Sequence, residues 1–134
     1  QGFDTIVSLE TVEHLADPRR FMQHLLSLLN PNGVLVASVP TTPSVDANPN
    51  HLNDFTEKSF RALGRMSQLR EVTCLRQTQP FDPIAILKGE EKRAAGVRRN
   101  LPRFYLANPD KLLRRVWATV RYGFQNRYIT LLSG

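Results

Sequence analysis

Two short apolar runs constrain this chain more than anything else in it. FDTIVSL at Phe3–Leu9 and VLVASV at Val34–Val39 are near-continuous, rich in β-branched residues and short. That pattern reads as strands buried inside a parallel sheet, with helices on both faces. Between them Asp17-Pro18 gives an N-cap with proline at the first helical position. Phe21, Leu25, Leu28 and Leu29 then recur at helical spacing, and Asn30-Pro31-Asn32-Gly33 ends the helix in a turn. Strand, helix, strand at this spacing predicts a right-handed βαβ unit.

Downstream the pattern loosens. Pro40–Asp54 holds three prolines and no periodicity, which predicts a loop outside the sheet. At about 15 residues it is long, and long loops in compact domains are often functional. Thr56 is placed to cap a short helix with Phe60 and Leu63 on its inner face. Leu69–Thr78 reads as a third strand, with Val72 and Cys74 facing one way. Asn108-Pro109-Asp110 repeats the cap-then-proline signal. It opens a helix with a stripe of Leu112, Leu113, Val116, Trp117 and Val120, and Tyr128–Leu132 reads as a fourth strand.

Charge is unevenly spread over the 134 residues. Residues 88–127 hold eleven Lys and Arg against three acids, net +8, whereas the rest holds seven against nine, net −2. The basicity therefore belongs to one segment. Three readings of it stand. It is a solvated helix face whose apolar stripe covers the sheet. It is a lid that selects an anionic ligand. Or it attaches to anionic lipid or nucleic acid. One tryptophan and few other aromatics accompany the charges, so base stacking, and with it nucleic acid, is not favoured. No apolar run approaches the length of a transmembrane helix. The single cysteine, Cys74, excludes a disulfide framework and predicts a reducing, cytoplasmic setting. The chain opens at Gln1 directly on a strand-like run, which reads as a piece of something longer; a processed N-terminus is the alternative.

Open α/β sheets place their sites at strand ends. The first strand runs into Glu10-Thr-Val-Glu13-His14, and the second into the loop carrying His51. A helical turn starting at Glu10 would put Glu10, Glu13 and His14 on one face. His24 reads as a surface residue, Cys74 as a small strand residue, and Asp54 and Phe55 as anchors of the loop.

The pattern FD-strand, E-x-x-E-H-x-x-D-P, helix, L-x-P-x-G and a strand ending in Pro closely resembles the second half of class I S-adenosylmethionine-dependent methyltransferases. H-x-x-x-F-T at His51–Thr56 is similar to that family too. Residues 2–64 carry the match, and it is most similar to the ubiquinone-biosynthesis O-methyltransferase type. The resemblance implies an α/β, Rossmann-like half-domain. Its sheet would be mostly parallel, made of strands four to seven of the family fold in the order 4-5-7-6. Flanking helices and a basic helical insertion would complete it. Residues 1–79 would be the sheet core, 80–126 the insertion or lid, and 127–134 the last strand.

Within that implication, Glu10 would approach the S-adenosylmethionine cofactor. Glu10, Glu13, His14 and His51 would hold Mg or Mn, as hard cations suit carboxylate and imidazole donors. Without metal, His14 or His51 would be the base that deprotonates a small-molecule acceptor, an anionic one on the lid reading, during O-methyl transfer. A purely structural role for the four remains open, with Glu10 capping the turn and His14 hydrogen-bonded within it. No G-x-G-x-x-G occurs, so the isolated chain is expected to bind cofactor weakly and to be inactive. The alternative is a non-catalytic, truncated methyltransferase-fold module for binding or assembly. Pairing of the exposed first strand with its copy would give a homodimer or larger species.

Overall fold

The computed structural model describes residues 2–88 and 97–134. Four strands, β1 (Phe3–Leu9), β2 (Leu29–Pro40), β3 (Glu71–Pro80) and β4 (Gln125–Ser133), form one sheet in the order β1-β2-β4-β3. This is the 4-5-7-6 order that the resemblance implied. The sheet is mixed, however, not mostly parallel. β1 and β2 run parallel, while β4 lies antiparallel to both β2 and β3. The last strand inserts between two that point the same way, and so reverses two of the three pairings.

Helix α1 (Pro18–Ser27) links β1 to β2, and its cap is the expected one, Asp17 Oδ1 accepting from Arg20 N at 2.9 Å. β2 starts earlier than the apolar run suggested. Phe3 pairs with Leu29 and Thr5 with Val34, so the Asn30–Gly33 turn becomes a bulge inside the strand. Asn32 takes the left-handed φ of 68° there, and a Cβ on Gly33 would stand 2.9 Å from the Phe3 carbonyl. Backbone approach of that kind needs glycine.

Helix α2 (Glu57–Met66) starts on a capping box in which Thr56 and Ser59 exchange hydrogen bonds. With α1 it covers one sheet face. Met22, Leu25, Phe60 and Leu63 meet Leu35, Ala37, Val39, Ile129 and Leu131 in a single core, with Phe60 fully buried. Truncating Phe60 to alanine would cost about 3–5 kcal/mol. Among the described residues the other sheet face is left largely open, contrary to the two-sided expectation: Val7, Leu9 and Leu75 are exposed. Val72 and Cys74 do not face the same way either. A bulge between Glu71 and Thr73 turns Val72 out, while Cys74 packs on the core.

Among the described residues, the expected insertion at 80–126 supplies α3 (Pro83–Leu87), α4 (Leu101–Ala107) and α5 (Pro109–Tyr122). The part of the expected insertion at 89–96, with Glu90, Glu91, Lys92 and Arg93, lies outside the described residues. Asn108 precedes α5 but caps nothing with its side chain, which donates back to Phe104 O. The apolar stripe of α5 does not cover the sheet. Leu113, Trp117 and Val120 are 69%, 61% and 83% exposed, and Ala118 is the helix's buried residue. No helix among the described residues is long and apolar enough to cross a membrane.

Candidate functional site

β1 ends at Leu9, and the chain turns sharply at Glu10, whose φ of 49° is left-handed. The backbone N–H of Glu10 reaches the carbonyl and hydroxyl of Ser38 on β2, and Ser38 Oγ donates to Glu10 Oε1 at 2.7 Å. Helical geometry begins only at Val12, as a single 3-10 turn, Val12–His14. Glu10 is therefore held to β2 and does not share a face with Glu13 and His14. It does not cap the turn: Thr11 occupies that position, and its hydroxyl donates back to Leu9 O instead of capping. Burial raises the Glu10 carboxyl above its usual value, with the Ser38 bond and His14 acting against the rise.

The long loop is stitched onto this turn. Leu52 N and Asn53 N both donate to Glu13 O, at 2.8 and 3.0 Å. Asn53 Nδ2 donates to Leu15 O at 2.7 Å, and His14 Nδ1 lies 3.0 Å from Asn50 O. These bonds carry His51 over His14, with ring centroids 4.5 Å apart and rings near perpendicular. The histidines are thus brought together by bonds between the turn and the loop, to which His14 and Asn53 contribute side chains.

Hydrogen bonding assigns the tautomer of His14. A carbonyl only accepts, so His14 Nδ1 carries the proton and Nε2 presents a lone pair in the neutral ring. His51 Nδ1 lies 2.8 Å from Ser44 Oγ, which in turn reaches Asp54 Oδ1 at 3.5 Å. With Ser44 donating to the carboxylate, it accepts from His51, and the His51 Nε2 is free as well. Burial, with the nearby His14 charge, lowers the His51 pKa; Asp54 opposes this.

Glu13 completes the group. It is buried, its Oε1 stands 4.0 Å from His14 Nε2, and its Oε2 has no partner among the described residues. Desolvation raises its carboxyl above the usual range. One oxygen of Glu13 and one ring nitrogen each from His14 and His51 lie within 4.8 Å of one another. One carboxylate and two imidazoles, each ring anchored through its other nitrogen, is a donor set that fits a divalent cation. Three of the four expected ligands converge; Glu10 lies outside that group, bonded to Ser38, though near enough for His14 to act on its carboxyl and for its charge to raise that of Glu13.

Asp54 anchors the loop as expected, accepting from Ser44 N and Val45 N at 2.8 and 3.0 Å. Phe55 packs on Phe60 at 5.7 Å between ring centroids. His24 is exposed on α1. A second anchor went unread in the sequence. Asp46, 1% exposed, accepts from Arg115 Nε at 2.7 Å, from an Arg115 terminal nitrogen at 2.6 Å and from Tyr105 Oη at 2.6 Å. Arg98 adds a bond to Asp46 O at 3.1 Å. Burial alone would raise the Asp46 carboxyl; Arg115's hydrogen bonds and charge, with help from Tyr105, outweigh it and hold it low. Burial and then Asp46 push the Tyr105 hydroxyl up to about 12. This latch ties the loop to α4 and α5. Its partners lie 59 and 69 residues from Asp46, beyond any local pattern.

Comparison with known proteins agrees with this architecture. A family model described as a methyltransferase domain matches residues 1–87. No curated protein matches the chain. Among solved structures, the YcgJ protein from Bacillus subtilis superposes with a TM-score of 0.65 at 12% identity, over 98% of this chain and 63% of that one. A candidate methyltransferase from Bacillus halodurans C-125 gives a TM-score of 0.62 at 13% identity, over 98% and 64%. A candidate sarcosine dimethylglycine methyltransferase from Galdieria sulphuraria gives 0.57 at 17%, over 98% and 52%. The chain thus spans less than two thirds of the length of these three structures, and at such identities they speak for the fold alone. The family model covers well over half of the residues and the strands stand in the order of that fold, so the chain belongs to the class I S-adenosylmethionine-dependent methyltransferase family.

Proposed function

We propose that the Glu13–His14–His51 cluster serves methyl transfer from S-adenosylmethionine to an oxygen of a small-molecule acceptor. The observation that carries this reading is the pairing of two imidazoles, each anchored through Nδ1 so that Nε2 presents a lone pair, at the carboxyl end of β1. When bound, S-adenosylmethionine would supply the methyl group to the acceptor oxygen and keep the carbon–sulfur electron pair, and an imidazole of this pair would take the hydroxyl proton. His51 suits that role, since its lowered pKa keeps it neutral and able to take a proton near pH 7. His14, backed by Glu13, positions it edge to face. Glu10, tied to Ser38 beside the strand end, would border the cofactor, and that bond is what supports the reading.

Glu13, His14 and His51 would also hold Mg or Mn. Such an ion would supply Lewis-acid polarisation of the acceptor oxygen. The partnerless Glu13 Oε2 is the feature of this chain that favours the idea.

The test is methyl transfer from radiolabelled S-adenosylmethionine by the full-length gene product carrying residues 1–134. Phenol, catechol, amine and carboxylate acceptors would be offered. An O-methyl product, lost at least about 100-fold in His51→Ala, is expected. Methylation at nitrogen or carbon only, or a His51→Ala rate equal to wild type, would overturn the reading.

A further inference from the structure

A concavity lies beside the histidine pair, between α5 and the start of α2. Its volume is about 700 Å³, within the range of small-ligand sites. Leu113 and Trp117 from α5 line it, with Phe55 and Tyr122. This accounts for the misfit in α5: Leu113 and Trp117 are 69% and 61% exposed because they face this cavity and not the core. An apolar wall without an apolar partner favours an apolar occupant.

Charge selects which one. Both carboxylates on the wall are already engaged. Asp54 accepts from two backbone N–H groups and faces Lys111 at 4.0 Å, and Glu57 pairs with Arg61 and Arg76. Lys58 and Arg114 also line the cavity and form no ion pair among the described residues. Arg127 lies over the Tyr122 ring at 4.1 Å, adding a third cation at the rim. The cavity is therefore apolar on its α5 side and cationic in surplus at its edge. Residues of α5 separate these roles at adjacent positions: Leu113 supplies apolar wall and Arg114 supplies charge.

We propose that this cavity binds a small amphiphilic acid, an apolar ring or short chain ending in a carboxylate or phosphate. It shares a wall with the histidine pair, because Asp54 lines it and Ser44 bridges Asp54 to His51. The acid is then a methyl acceptor if the preceding reading holds; the binding itself does not depend on that reading.

Trp117 is the sole tryptophan in the chain, so its emission reports on the cavity directly. The full chain would be titrated with monomeric octanoate, octyl phosphate, octanol and octylamine, without S-adenosylmethionine. Octanoate and octyl phosphate should shift the Trp117 emission to the blue and bind at least tenfold tighter than octanol, with octylamine weakest. A Lys58→Gln/Arg114→Gln variant, altered at two exposed positions, should lose about tenfold in octanoate affinity and keep its octanol affinity. Leu113→Asp, also at an exposed site, should weaken all four ligands. His51→Ala should leave octanoate binding intact while it abolishes methyl transfer, so the two readings fail separately. Equal affinity for octanoate and octanol, tighter octylamine, or a double variant indistinguishable from wild type would overturn the proposal. So would a response confined to phosphatidylglycerol vesicles, which would assign the cations to a lipid surface instead.

Discussion

Replacing Arg115 by methionine removes the cation from the Asp46 latch while keeping most of its apolar stem. Asp46 is 1% exposed, and in the native chain it accepts from two Arg115 nitrogens, from Tyr105 Oη and from Ala47 N. Without Arg115, a buried carboxylate is left with two neutral donors. Stranding one member of a buried pair costs about 3–5 kcal/mol. The remaining donors place this site near about 3 kcal/mol, or roughly 10 °C in melting temperature for a chain of this size. The sign of the pH dependence follows from Asp46, whose carboxyl is held below its ordinary value of 3.8. Its contribution is fully present above that value and fades as pH falls through the lower, folded one. The gap between wild type and Arg115→Met should therefore be widest near neutrality and close under strong acid. Thermal and urea unfolding from pH 7 downward, repeated for Asp46→Asn and the double variant, would show it, with the double variant less than additive. A variant melting within about 2 °C of wild type at pH 7 would refute the reasoning, since the loop would then be held by something other than this pair.

Four further outcomes are expected. In metal-free protein, Glu13→Gln should stabilise the fold by about 1 kcal/mol at pH 7, because it removes a buried carboxylate with a partnerless oxygen. The raised Glu13 value means that ionisation costs stability as pH climbs past its ordinary 4.5, so the gain should vanish in acid; denaturant titration at pH 4 and 7 checks both. If the cluster holds Mg or Mn, the ion at a hundred times its dissociation constant should add about 2.7 kcal/mol, and His51→Ala should erase the effect; a melting point indifferent to both ions and to EDTA would remove metal from the account. Tyr105→Phe should cost about 1.5 kcal/mol by urea unfolding, as it deletes one hydrogen bond to a buried charge. β1 lies at the sheet edge with Phe3, Val7 and Leu9 exposed, so light scattering should find a dimer or larger species, and a stable monomer at tens of micromolar would count against strand pairing.

Local chemistry made several elements legible in the sequence. The apolar run Phe3–Leu9, the Asp17-Pro18 cap and the Thr56 cap are each encoded by neighbours a few residues apart, and each forms where the pattern puts it. The E-x-x-E-H motif follows the first strand as its local pattern puts it, and His51 meets His14 there from the next loop. Glu10 failed to join because a single left-handed residue and a bond to Ser38, 28 positions away, replaced the helical turn assumed for it. The stripe of α5 shows the same limit. Periodicity states that one face of a helix is apolar, but not what that face meets. Only the packed chain turns Leu113 and Trp117 toward a cavity, and only it pairs Asp46 with Arg115 and Tyr105. Sequence settled what nearest neighbours on the chain decide, the Asp17 and Thr56 caps, the helical periods and the run of the first strand. The tertiary structure decided what depends on distant groups meeting away from water, where an ion pair or an unpartnered carboxylate acquires its energy.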